Sequence, residues 1–404
     1  MAKQVFEGVK VVDFCLMIAG SVTSRHLADH GATVIHIESR SKFDSCRSGT
    51  PFKDGISGLN LSGHFNNWNA NKLGITLNLN HRQGVEVAKR IIAWADVVVE
   101  NFAPGVMEKW GLGYPDLKKV KPDIIMLRLS AQGQTGPYGR HPCTGYALTA
   151  MAGFTWITGW PDRGPVQPYA AYSDTVAPRF GALAIIAALD YKRRTGKGQY
   201  LDLSQLECSI QCLAPIILDY TANGRVAYRN GNRHPHAAPH GAYPCQGEDR
   251  WCTIAVFSDE EWKSFCTAAG HPEWTKDPGF ATLTARKQNE DELDKLVAEW
   301  TSNFTAEEVM TKMQSLGVPA GVVQNGKDIH QDPQLEHRRH FWIFNHPEAG
   351  AYKADSFPFK LSKNPAEPRL PAPCLGEHNE YVYTKILGMS DEEFVNLLAD
   401  GVFD

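Results

Sequence analysis

The stretch Val9–Ser39, VKVVDFCLMIAGSVTSRHLADHGATVIHIES, decides the fold class. Val9–Cys15 is a short apolar, β-branched run of the kind that forms a buried strand. Ala19–His30 reads as a helix opening near Gly20-Ser21, and Thr33–Ser39 returns to strand character. Strand, helix and strand in this order make a βαβ unit, whose usual outcome is a parallel pair with a right-handed crossover. Working outward, a helix over Gly84–Ala95, a strand at Asp96–Glu100, a helix from Pro104 and a strand at Asp123–Ser130 continue the alternation. Thr175–Arg193 has the strongest helical pattern, with Pro178 in its first turn and a glycine stop at Thr195-Gly196-Lys197-Gly198. Gln199–Ser204 then alternates like a strand, and Gln205–Thr221 reads as a helix. The expected class is α/β, with a Rossmann-like large domain over residues 1–223.

Character changes at Asn223-Gly224. Residues 224–330 read as a smaller α/β domain, entered through the Gly-, His-, Pro- and Asn-rich connection Arg225–Pro244. Its elements are a strand at Trp251–Val256, helices at Glu260–Ala269, Glu290–Thr301 and Thr305–Leu316, and a strand at Val318–Val323. Residues 331–404 are irregular and proline-rich up to a last helix at Asp391–Leu398. They read as a linker and C-terminal segment returning to the large domain.

The chain has 404 residues, with 41 Lys plus Arg against 45 Asp plus Glu, a net charge of −4. That balance argues against nucleic acid as a partner. No run of about 18 apolar residues occurs, so no membrane partner is expected. The segment MAKQVFEGVKVVDF lacks the apolar stretch of a secretory signal. Nine cysteines without a CxxC pair read as reduced thiols in the cytoplasm.

Several constellations invite chemistry. His234, His236, His240, Cys245 and Cys252 could be read as metal ligands, but prolines interrupt them and neither HExxH nor paired CxxC occurs, so no metal is expected. Cys208 and Cys212 share a helical face and read as core. Leu16-Met17-Ile18-Ala19-Gly20 is not GxGxxG, which removes support for a dinucleotide. GxSxG and Walker A sequences are absent. Asp174, just ahead of an apolar helix, reads either as an N-cap or as a carboxylate nucleophile at a helix N-terminus. Spacing alone does not choose. Asn71-Lys72 and Asn101–Gly105 read as turns with a solvated lysine, or as a ligand rim at the carboxyl ends of strands.

A set of blocks in fixed order is more specific: Gly8–Phe14, Gly31–Glu38, Asn69–Lys72, Val99–Gly105, Gly133–Tyr138, Asp174 with Ala184–Leu189 and Arg194–Gln199, Asp332–Gln334 and Leu375–His378. Together they resemble the family III CoA-transferases (CaiB/BaiF type), the group containing formyl-CoA, carnitine and benzylsuccinate CoA-transferases. The resemblance places Asp174 at the family's catalytic aspartate. It implies coenzyme A thioesters as substrates, no permanently bound cofactor, and an aspartyl mixed anhydride followed by an aspartyl-CoA thioester. By the same resemblance CoA would contact Met17, Ile18, Ala19, Ser39, Arg40, Leu77, Asn80, Asn101, Phe102, Lys109 and Trp110, with Arg40 and Lys109 at its phosphates.

There are departures from the family pattern. Ile18 stands where some members carry a glutamine, Ser39 replaces an arginine, and Pro178 replaces a glycine. No glycine-rich flap occurs in Arg225–Trp262, which argues against formate or oxalate.

Overall likeness leans toward a succinyl-CoA:benzylsuccinate transferase. Tyr146, Phe154, Trp156, Trp160, Tyr169 and Tyr172 would form an aromatic pocket, and Arg163, Arg179 or Arg233 would bind a second carboxylate. The resemblance further implies two interlocked ring-shaped protomers, as a homodimer or with a homologous subunit. One alternative is an α-methylacyl-CoA racemase, whose His/Asp pair would fall near Thr144-Gly145, with His141 close by. The other is a CoA-binding subunit of a heteromeric transferase.

Overall fold

The computed structural model describes residues 4–404. They divide into two compact units. The larger comprises the chain up to Thr155, Gln167–Val226 and Gln334–Asp404; the smaller comprises Trp156–Val166 and Ala227–Pro333. Trp156–Val166 is thus a piece of the smaller unit inside the stretch that the sequence assigns to the large domain.

The larger unit is built on β1 (Lys10–Asp13), α1 (Ile18–Ala28), β2 (Thr33–Glu38), α2 (Gly63–Trp68), β3 (Leu73–Thr76), α3 (Arg82–Trp94) and β4 (Val97–Glu100). It continues with α4 (Val106–Lys109), α5 (Tyr114–Val120), β5 (Ile125–Ser130), α6 (Gly145–Met151), α7 (Phe154–Ile157, whose last two residues count with the smaller unit), α8 (Tyr172–Thr195) and β6 (Tyr200–Ser204). The six strands form one parallel sheet in the order β3-β2-β1-β4-β5-β6. This is the doubly wound arrangement, in which the chain reverses direction across the sheet between β1 and β4.

Both faces are covered, which explains why the strands read as continuous apolar runs rather than alternating ones. Val11, Val34, Val97 and Leu127 pack with Leu27, Ala28, Ile185 and Ala188 from α1 and α8. One residue along each strand, Val12, Ile35, Val98 and Met126 enter a second core with Val87, Ile91 and Ile92 of α3 and with Tyr383, Val402 and Phe403. Thr76 anchors this C-terminal stretch, donating from its hydroxyl to the Phe403 carbonyl at 2.6 Å and accepting the Tyr383 hydroxyl at its carbonyl at 2.7 Å.

Lys72 is neither solvated nor on a rim. It is fully buried and donates to Asp13 Oδ2 at 2.9 Å, to Asn69 Oδ1 at 2.7 Å and to the Ser21 carbonyl at 2.9 Å. Its amphipathic stem reaches under α1 to meet the carboxylate at the end of β1.

Three further differences from the sequence reading are two strand pairings in stretches read as loop and one interrupted helix. His240–Pro244, expected in a loop, is a strand paired antiparallel with Trp251–Ala255, which pairs with Ala320–Val322. Phe341–His346 and Gly350–Asp355 form a hairpin inside the stretch read as irregular. The helix expected over Gln205–Thr221 is two, Gln205–Gln211 and Ala214–Asn223, with Pro215 in the first turn of the second. All nine cysteines are free thiols. Among the described residues no helix is long and apolar enough to cross a membrane.

Candidate active site

Open α/β sheets bind ligands beyond the carboxyl ends of their strands, where the strand order reverses. A cavity of about 320 Å³ lies there, lined by Met17 and Ala19 after β1, Asn101–Pro104 after β4, Ser130 and Ala131 at the end of β5, and Gln205 after β6. Asn101 ties the two central loops together: its Oδ1 accepts from the Leu16 amide at 3.2 Å and its Nδ2 donates to the Met17 carbonyl at 3.4 Å. Met17, the residue before α1, provides no side-chain cap, so the first-turn amides of that helix are left for another acceptor.

Asp174 lines the same cavity. It is not an N-cap. Helix α8 starts at Tyr172, three residues earlier than its pattern suggests, so Asp174 is the third residue of the first turn. The Asp174 amide bonds to the Ala171 carbonyl at 2.9 Å, and the Ser173 hydroxyl donates to the Gly145 carbonyl at 3.1 Å, joining α8 to the start of α6. Among the described residues nothing donates a hydrogen bond to the Asp174 carboxylate. Burial without a compensating partner pushes its pKa up to about 6. Pro178, four residues on, lacks the N–H that would complete the helical bond to the Asp174 carbonyl.

Gly145 makes room for this carboxylate. A Cβ at 145 would sit 2.5 Å from Asp174 Oδ2 and 2.4 Å from the Ala171 Cβ. A racemase aspartate at that position is therefore incompatible with Asp174 where it stands. His141 does line the cavity, without a carboxylate at 145 to work with.

A second, smaller cavity of about 190 Å³ also has Asp174 in its wall. Ile18, Val22, Arg25, His26, Trp68, Arg179 and Phe357 are among its walls. The nucleophile candidate is thus the residue common to two cavities.

Of the sequence candidates, Met17, Ala19, Asn101 and Phe102 meet Asp174 at the first cavity, and Ile18 meets it at the second. The others line neither. Leu77 is core, 1% exposed. Ser39 closes a turn, accepting from the Lys42 amide at 3.0 Å, and Asn80 bonds back to Asn78 Oδ1 at 3.1 Å. Arg40 faces Asp404 at 3.8 Å on the surface. Lys109 is exposed at the end of α4, and Trp110 packs edge-on to Phe102 with centroids 5.5 Å apart. None of the six aromatic residues expected around the acid lines either cavity; Tyr169 is 97% exposed, and Trp156 and Trp160 belong to the smaller unit.

Sequence reasoning missed Arg140, Ser130 and Gln205, all on the first cavity. The Ser130 hydroxyl and the Gln205 side-chain carbonyl are buried with no hydrogen-bond partner, a debt that a bound ligand would settle. Both sit at the carboxyl ends of strands, in segments of ordinary composition, so only the sheet order brings them to Asp174. His234 and His240 meet the Phe257 ring edge-on, and His236 meets His234 edge-on. Among the described residues no group of three or more His, Cys, Asp or Glu could hold a metal.

Comparison with known proteins gives this arrangement its class. The family model of CoA-transferase family III matches residues 6–379. The chain is similar to a succinyl-CoA–D-citramalate CoA-transferase of Chloroflexus aurantiacus, 34% identical over 98% of this chain and 97% of that one. It is also similar to the β subunit of a succinyl-CoA–L-malate CoA-transferase of the same organism, 32% identical over 98% and 97%. Among solved structures, a CaiB/BaiF family protein from Brucella suis superposes with a TM-score of 0.88 at 30% identity, covering 95% of this chain and all of that one. The chain belongs to CoA-transferase family III, and it is an enzyme that transfers CoA.

Proposed function

We propose that the enzyme moves CoA from succinyl-CoA to a small dicarboxylic acid, with Asp174 as nucleophile. The observation that carries this is the unpartnered Asp174 carboxylate on the shared wall of two cavities. Two relatives of full-length similarity are named for succinyl-CoA with citramalate and with malate, both dicarboxylic acids. None of the six aromatic residues offered for a benzylsuccinate pocket lines either cavity, which favours a small diacid without a phenyl group.

The Asp174 carboxylate attacks the donor thioester carbonyl; the C–S bond breaks, and CoA leaves as thiolate from a mixed anhydride. The thiolate then attacks the Asp174 carbonyl, the anhydride C–O bond breaks, and succinate leaves. The incoming carboxylate attacks the resulting aspartyl thioester, and the same steps run in reverse, returning Asp174 as carboxylate. No external reductant, oxidant or water is consumed. A carboxylate unbound by donors is a better nucleophile than a capped one, and the pKa near 6 leaves it ionised at neutral pH. In the first cavity, α1 amides and the Gln205 amide are available to the oxyanion of each addition.

The CoA chain would run over Met17, Ala19, Asn101 and Phe102 toward Arg140. The working particle is an interlocked pair of protomers in the cytoplasm, with an identical or a homologous partner. Assays of CoA exchange between succinyl-CoA and a panel of acids test the reading: transfer to dicarboxylic acids is expected, and transfer confined to monocarboxylic acids, or none, overturns it. Mixing tagged and untagged protein at nanomolar concentration tests the assembly, since linked rings exchange only by opening.

A further inference from the structure

We infer that Arg179 selects dicarboxylic acids by receiving the carboxylate at the far end of the acyl chain while the near one reacts at Asp174. This rests on the transferase reading above. Three basic residues line the smaller cavity, and two of them cannot offer a free charge. Arg25 donates to the carbonyls of Asn67 and Asp355 and pairs with Asp29 at 3.2 Å. Burial, with Arg179 and Arg25 nearby, pushes His26 down to about 3, so it carries no charge at neutral pH. The two acidic groups besides Asp174 are answered as well: Asp29 by Arg25 and by Asn71 Nδ2 at 2.6 Å, and Asp355 by Asn67 Nδ2 at 3.1 Å. Of the two arginines, Arg179 is the one with neither ion pair nor hydrogen bond among the described residues.

The other arginines considered for this duty are engaged elsewhere. Arg163 pairs with Asp162 at 3.0 Å, and Arg233 holds Asp291, Asp294 and Glu290. Arg179 is itself exposed, but it stands on the wall of a cavity it shares with the nucleophile. Arg179 follows Asp174 by five residues on α8, about 7.5 Å along the helix axis at 1.5 Å per residue. A short diacid extended from Asp174 and an arginine side chain reaching back together span that distance. A guanidinium grips a carboxylate in two parallel hydrogen bonds, which fixes orientation as well as charge. The succinyl group of the donor and the incoming diacid visit the same place in turn, so one arginine serves both halves of the reaction.

The test compares wild type, Arg179→Gln and Arg179→Lys with malate and succinate against butyrate as acceptors, using propionyl-CoA as donor. In Arg179→Gln the dicarboxylate-to-butyrate ratio of kcat/KM should fall roughly 10- to 100-fold, mostly through KM, the size of one lost charge-assisted pair. Arg179→Lys should recover part of that ratio. A ratio unchanged in Arg179→Gln, or an equal loss on all acids, overturns the inference while wild-type transfer to dicarboxylates leaves the function standing. A wild type that transfers to no dicarboxylate overturns the function, and the inference with it.

Discussion

The acidic residues that end β1 and β2 and the one in the first turn of α8 are treated in opposite ways. Under the β1–β3 side, Asp13 and Glu38 are buried with every oxygen answered. Asp13 accepts from Lys72 at 2.9 Å, Ser24 at 2.6 Å and His36 at 3.2 Å, and Glu38 takes a two-pronged contact from Arg47 at 2.7 and 2.8 Å. Burial alone would raise both carboxyls, but Lys72 and His36 hold Asp13, and Arg47 holds Glu38, below the usual carboxylate range. At α8, Asp174 is half-buried with no donor, and its pKa moves the other way. Paired carboxylates shape the turn that carries Met17 and Ala19; the unpaired one faces the cavities. Burial of charge is structural where partners are supplied and chemical where they are withheld.

The largest expected effect breaks the chemical side. Asp174→Asn keeps the shape but cannot form an anhydride, so turnover should drop at least about 10³-fold. Mass spectrometry of wild type incubated with donor should show a CoA adduct on Asp174, absent from the variant.

Breaking the structural side costs folding instead. Lys72→Met leaves Asp13 buried and unpaired and should lower stability by about 3–5 kcal/mol in urea titrations. Adding Asp13→Leu should restore a good part of it. If the single variant lost activity at full stability, the division between the two regions would be wrong.

The pH dependence of stability sharpens the contrast. The folded protein holds the Asp174 proton more tightly than the unfolded chain does, with a pKa about 6 against 3.8. That contribution is fully present below the unfolded value and is lost as pH rises through the folded one. The shift is worth up to about 3 kcal/mol, and it should vanish from the wild-type profile in Asp174→Asn between pH 4 and about 6. Activity has the opposite slope, rising as the carboxyl ionises.

The smallest effect concerns space. Gly145→Ala forces a methyl against the Asp174 carboxylate and should cost about 1–3 kcal/mol, divided between stability and kcat. A variant with unchanged kcat and stability would mean that α6 yields without cost.

Local pattern determined the elements of this protein. Apolar β-branched runs such as Val9–Cys15 had to be buried strands, and the order of family blocks around Asp174 carried the class of chemistry, because both are properties of neighbours along the chain. What a side chain meets across the sheet is not. The reading of Lys72 as solvated failed because its partner Asp13 lies 59 residues away, and a lysine's long stem fits a surface or a core equally well. The aromatic residues before Asp174 suggested a pocket by proximity in sequence, yet none of them lines either cavity beside it. Arg163, Arg179 and Arg233 were indistinguishable as letters. Only tertiary structure pairs two of them and leaves the third beside the nucleophile, since an ion pair is decided by distances of a few ångströms between segments that the sequence does not order in space.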